Sequence, residues 1–180
     1  MEGVEAERLY NHGTALAGRG DLVRAEQYIV AAIERGYSRE EALPTLLQVC
    51  VAGQRHAAAL RHAEPYLRDH PDNWSLRYVV ATLHLGLGRV SRAQSELEQV
   101  IEDAPQEANP YYTLGTMYRD QMQDEEEATR WFNRYLELAP RGDHAAEVRR
   151  WLDQRHEQPE IIRLPPHETP PEGSVEGDVT

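Results

Sequence analysis

Eight histidines, one cysteine and 31 acidic residues are the side chains of this 180-residue chain that could hold a metal, move a proton or attack an electrophile. Their spacing assembles no familiar catalytic device. His56 and His62 stand six residues apart and fall on different faces of a helix. No histidine pair has the i, i+4 spacing with a nearby glutamate that a helical zinc protease uses. His84 reads as a packed histidine. Cys50 can make neither an internal disulfide nor a cysteine-based metal site, and nothing basic lies beside it in sequence to stabilise a thiolate, so it reads as a small buried hydrophobe. The run Asp124-Glu125-Glu126-Glu127 has the look of a calcium or partner patch. Its place at a helix start is a sufficient account, because carboxylates there complement the helix dipole. No glycine-rich phosphate loop, nucleophile elbow or catalytic carboxylate pair is found. The expectation is a protein with no catalytic, cofactor-binding or metal-binding residues, and not an enzyme.

Composition narrows the partners. The net charge of -12 repels a nucleic-acid backbone or an anionic membrane surface, which leaves another protein as the expected partner. All 19 basic residues are Arg, which fits a GC-rich, bacterial coding sequence and removes the usual residue of Schiff-base and P-loop chemistry. A single cysteine, an acidic N-terminus with no apolar run behind it and no stretch of about 18 apolar residues argue against a secretory leader or a membrane span. The expected location is cytoplasmic.

The elements that would position these residues are helices, since Ala, Leu, Glu, Arg and Gln dominate and aromatics are 7% of the chain. Ala25, Ala59, Ala93 and Ala128 are spaced 34, 34 and 35 apart, and Pro71, Pro105 and Pro140 keep the same step at 34 and 35. Two independent markers therefore report one period, that of a helix-turn-helix repeat. Helices are predicted over 4–18, 22–36, 39–52, 55–69, 74–87, 90–103, 109–122 and 125–138. Asp21, Ser38 with Glu41, Asn109 before Pro110, and Asp124 with Glu127 serve as start signals. Pro44 lies beyond the first turn after Ser38 and predicts a late start or a bend in the third helix. A ninth amphipathic helix over 143–157, with Val148, Trp151 and Leu152 on one side, is suited to cap the array.

The sequence resembles the tetratricopeptide repeat (TPR) family. Its pattern is met by Tyr111, Leu114, Gly115, Tyr118, Ala128, Phe132 and Pro140 in the last repeat. Looser matches are Leu9, His12, Gly13, Leu16, Ala25 and Ile29 in the first, Leu43, Leu46, Leu47, Cys50, Ala59, Ala63 and Pro71 in the second, and Val80, Ala81, His84, Ala93, Leu97 and Pro105 in the third. The second lacks the small residue in its first helix. In the third, Arg77 stands where a bulky aromatic belongs, with Trp74 one turn earlier as a substitute.

The resemblance implies an all-α, right-handed superhelical solenoid of about four repeats, at about 6–39, 40–73, 74–107 and 108–142, plus the capping helix, together a domain over 1–158. It also implies that the first helix of each repeat lines a concave groove that binds a peptide or helix of another protein. Carried onto this sequence, the groove residues are Tyr10, Thr14, Pro44, Gln48, Tyr78, Thr82, Tyr112, Thr116 and Arg119. The tyrosines form either a ligand ladder or a packing layer between neighbouring helices. The Lys-based carboxylate clamp of the family's chaperone-tail receptors is missing. The reading that follows is an adaptor, with a self-associating scaffold assembled through its end repeats or convex surface as the alternative. Residues 159–180 hold five prolines and five acids against one Arg, and read as a disordered tail. Within it, Ile161-Ile162-Arg163-Leu164 is either incidental or a docking motif.

Overall fold

A computed structural model describes residues 2–156; the tail at 159–180 lies outside the described residues. Those residues form nine α-helices and no strand. The helices are α1 (Glu2–Gly18), α2 (Leu22–Glu34), α3 (Arg39–Ala52), α4 (His56–Asp69), α5 (Trp74–Gly86), α6 (Val90–Asp103), α7 (Ala108–Met117), α8 (Glu125–Leu138) and α9 (Ala145–His156). Each helix packs on its neighbours in sequence, α1 with α2, α3 with α4, α5 with α6, and α7 with α8. The pairs join through α2 with α3, α4 with α5 and α6 with α7. No pair can bury its apolar face alone, so the core is a continuous stack along a solenoid and not one central nucleus.

Local chemistry starts the helices where short polar side chains stand. Asp21, Ser38, Asn73 and Asp124 each accept a hydrogen bond from the backbone N–H three residues on, which satisfies a donor that the helix leaves open. Two expectations are corrected. α7 begins at Ala108 behind Glu107, with no side-chain cap, so Asn109 is inside the helix. α3 begins at Arg39 and runs through Pro44 without a late start. Pro44 has no N–H to donate to the carbonyl of Glu40, and both residues lie on the exposed side of the helix.

The crossing within each pair depends on one small and one large residue. A Cβ at Gly115 would meet the Phe132 ring at 2.5 Å, and one at Gly13 would meet Ile29 Cγ1 at 2.7 Å. The second pair reverses the sizes, with Leu47 in the glycine's register position and Ala63 in that of Phe132, both buried. This exchange explains how the pair packs without a small residue in its first helix. The step of 35 between Ala93 and Ala128 also has a structural cause. The extra residue falls between Tyr118 and Ala128, where α7 runs into a single π turn, Tyr118–Met122, closed by Gln123 at φ 55°.

α9 covers the last pair. Ala145, Val148 and Leu152 are buried in one cluster with Tyr111, Ala128, Phe132 and Tyr135, and the Trp151 ring meets that of Phe132 edge-on at 5.1 Å.

Candidate functional site

The first helices, α1, α3, α5 and α7, carry the predicted groove residues except Arg119, which stands in the π turn after α7, and four of the nine reach the next helix of the same face. Tyr10 shares a hydrogen bond of 2.9 Å with Thr45, and Tyr78 one of 2.9 Å with Thr113. The Tyr112 hydroxyl donates to Glu147 at 3.0 Å. Each bond spans 35 residues, one repeat and one position. The rings are also engaged, Tyr10 stacking on Tyr37 at 4.3 Å and Tyr112 on His144 at 3.8 Å. Burial, then the Glu147 contact, pushes the Tyr112 hydroxyl up to about 12. It stays a donor at any working pH.

Thr14, Thr82 and Thr116 donate to their own helices, at Asn11, Val79 and Thr113. Gln48 is exposed. Arg119 is paired with Asp120 and Glu147 and lies over the Phe132 ring. Those pairings raise its pKa, the Asp120 hydrogen bond foremost, so its charge is already matched within the molecule.

One step of this ladder is missing. Where Tyr10, Tyr78 and Tyr112 stand, the second pair has Pro44, and where Thr45, Thr113 and Glu147 receive the hydroxyls, the third has Val79. A cavity of about 230 Å³ opens there between α3 and α5, lined by Leu43, Pro44, Leu47, Tyr66, Leu76 and Val79, with Glu40, Asn73 and Ser75 also on its wall. The signal for it was present in the sequence as a break in the 35-residue step from Tyr to Thr. The cavity falls below the roughly 300 to 1,000 Å³ of small-molecule sites and suits an apolar side chain or two.

Polar residues occupy two family aromatic positions in the third pair. Arg77 fills its own site by donating to Glu96 at 2.9 Å and to the Pro71 carbonyl at 2.8 Å, and Trp74 stays half-buried at the start of α5. His84 is 2% exposed, with no partner on Nδ1. Desolvation holds its imidazole below the ordinary 6.5, against the pull of Glu64, while Arg89 and Arg92 add to the depression. The neutral imidazole is therefore favoured in the fold, and the unfolded chain binds more protons as pH falls through 6.5. Stability contributed by the neutral imidazole is present above that pH and lost as pH falls below it. Wild type should lose melting temperature between about pH 7 and 5.5 more steeply than His84→Gln, as followed by circular dichroism; parallel slopes would refute the assignment.

Three groups far apart in sequence meet at the junction of α2, α3 and α4. Glu26, Cys50 and His62 place a carboxylate oxygen, a thiol and a ring nitrogen within 4.8 Å of one another. His62 Nε2 lies 2.9 Å from Glu26 Oε1, and Arg55 pairs with Glu26 Oε2. Burial pushes the Glu26 carboxyl up, but His62, Arg55 and Cys50 outweigh it and hold it below its usual range. Burial, then Glu26, pushes the Cys50 thiol up to about 11, which makes it inert as a free nucleophile.

Repeated helix pairs, stacked in one dimension and displaying one face of first helices, define a helical-repeat solenoid of the kind that serves as an interaction module. The tetratricopeptide-repeat profiles match residues 51–117 and 108–141, and the chain belongs to that family. Proteins of the family are in general interaction modules. A search of curated proteins returns no sequence relative.

Solved structures share the fold. YrrB, described as a TPR protein with an unusual peptide-binding site, superposes with a TM-score of 0.68 at 18% identity, over 81% of this chain and 74% of that one. MamA from Desulfovibrio magneticus RS-1 gives 0.66 at 22% identity, over 77% of each chain. A tetratricopeptide repeat protein from Parabacteroides merdae gives 0.71 at 22% identity, over 84% of this chain and 60% of that one. No helix among the described residues is long and apolar enough to cross a membrane.

Proposed function

We propose that this protein is a non-enzymatic adaptor, acting in a bacterial cytoplasm, that binds an extended peptide or helix of a partner protein along the face of α1, α3, α5 and α7. The observation that carries this reading is the missing step at Pro44 and Val79. The tyrosine hydroxyls elsewhere on the face are engaged with the next helix, whereas this position leaves an apolar, side-chain-sized cavity. A partner would anchor one apolar side chain there, while Gln48 and the neighbouring threonines offer polar contacts to its backbone. The tyrosines then act as staples that hold the helices in register, and only their outer edges meet the ligand. The description of YrrB as peptide-binding agrees with this use of the fold.

Selection from a random peptide library on the immobilised full chain tests the reading. Enriched peptides should share one apolar residue flanked by neutral or basic ones, as the acidic protein requires. Failure to enrich any family, together with a mass that grows with concentration in light scattering, would favour the self-associating scaffold.

A further inference from the structure

We propose that Glu26, Cys50 and His62 form a binding site for a Zn²⁺-class transition-metal ion that ties α2, α3 and α4 together. Three side chains from three helices converge, with all ligand atoms within 4.8 Å. A tetrahedral zinc ion needs bonds of about 2.0 to 2.3 Å, so its ligand atoms stand about 3.3 to 3.8 Å apart. The cluster reaches that with small side-chain adjustments, since the Glu26 to His62 separation is already 2.9 Å and has to widen. One thiol, one imidazole and one carboxylate suit Zn²⁺ or Co²⁺ better than Mg²⁺ or Ca²⁺, which prefer oxygen alone.

The carboxylate is arranged to be shared. Arg55 occupies Oε2 and is itself held by the carbonyl of Leu22 at 3.0 Å, which leaves Oε1 for the ion. A ligating carboxylate held from behind in this way is the usual support of a metal site. The charges also balance acceptably, because one thiolate, one carboxylate and one guanidinium leave a net negative charge for the incoming dication. On binding, the thiol releases its proton to solvent and the neutral His62 ring ligates through the Nε2 lone pair in the tautomer that carries its single proton on Nδ1. The partial exposure of Glu26 and His62 leaves a path for the ion from solvent, which would supply a water as fourth ligand.

The convergence is particular to this junction. The same register positions carry Leu60, His84 and Glu96 at the next junction and Gln94, Tyr118 and Trp131 at the third. At the third, Gln94 simply donates to the Tyr118 hydroxyl at 3.2 Å, and Tyr118 stacks with Trp131. Packing at these positions is therefore achieved elsewhere without three metal-ligating groups, since Leu60 joins His84 and Glu96 at the second junction and the third has none.

Titration of the purified, metal-free full chain with Co²⁺ tests the site. The expected result is a saturable, equimolar thiolate-to-cobalt charge-transfer band with tetrahedral visible bands, displaced by Zn²⁺. It should vanish in Cys50→Ser and weaken at least tenfold in His62→Gln and Glu26→Gln, while helicity is unchanged. Melting temperature of the wild type should rise with Zn²⁺ concentration. Absence of the thiolate band in the folded wild type, or its persistence in Cys50→Ser, would overturn the proposal. Should Cys50→Ser unfold, the wild-type band and the two remaining variants still decide it.

Discussion

Replacing Phe132 by alanine should destabilise the protein by about 3 to 5 kcal/mol and shear α9 away from the last helix pair. Phe132 is fully buried, and its ring occupies the space above Gly115, where even a Cβ would approach to 2.5 Å. It also meets Trp151 of α9 edge-on and lies beneath Arg119. The glycine cannot grow to refill the void, and the backbone crossing is set by Tyr111, Ala128 and Tyr135 around it, so relaxation recovers little. Urea denaturation should show the loss, with the exchange protection of α9 amides falling first. A change below about 1 kcal/mol would mean that α9 does not depend on this ring.

Ala93→Trp should be as damaging for the opposite reason. Ala93 is fully buried in α6 at the crossing with α5, where Ala81 is equally inaccessible. An indole there must push the two helices apart, at a cost of about 3 kcal/mol or more. Because the stack is one-dimensional, the damage should spread to the junctions with α4 and α7, broadening the transition. An unchanged melting curve would contradict the register of the third repeat.

The repeat was legible in the sequence because close crossings demand small side chains at a fixed step, and Ala25, Ala59, Ala93 and Ala128 supply them. Gly115 and Phe132 were legible for the same reason, one being the space that the other fills. The π turn had a trace, the step of 35, but its location needed the backbone. Pro44 misled because local propensity disfavours it in a helix, whereas α3 runs through it on its exposed side. The repeat pattern assigns the groove residues to the first helices, yet whether their hydroxyls face a ligand or the next helix depends on the angle between repeats. That angle turns Tyr10, Tyr78 and Tyr112 toward Thr45, Thr113 and Glu147. The meeting of Glu26, Cys50 and His62 was out of reach, since three helices separated by turns must pack before the groups come together.

The most direct measurement is calorimetric titration of a library-selected peptide into the wild type and into the double variant Pro44→Tyr/Val79→Thr, which supplies the missing tyrosine-to-threonine step and fills the cavity. The account predicts that the variant folds with undiminished helicity and binds the peptide at least tenfold more weakly, about 1.4 kcal/mol. Equal affinity in the two proteins would contradict it and move the binding surface away from α3 and α5.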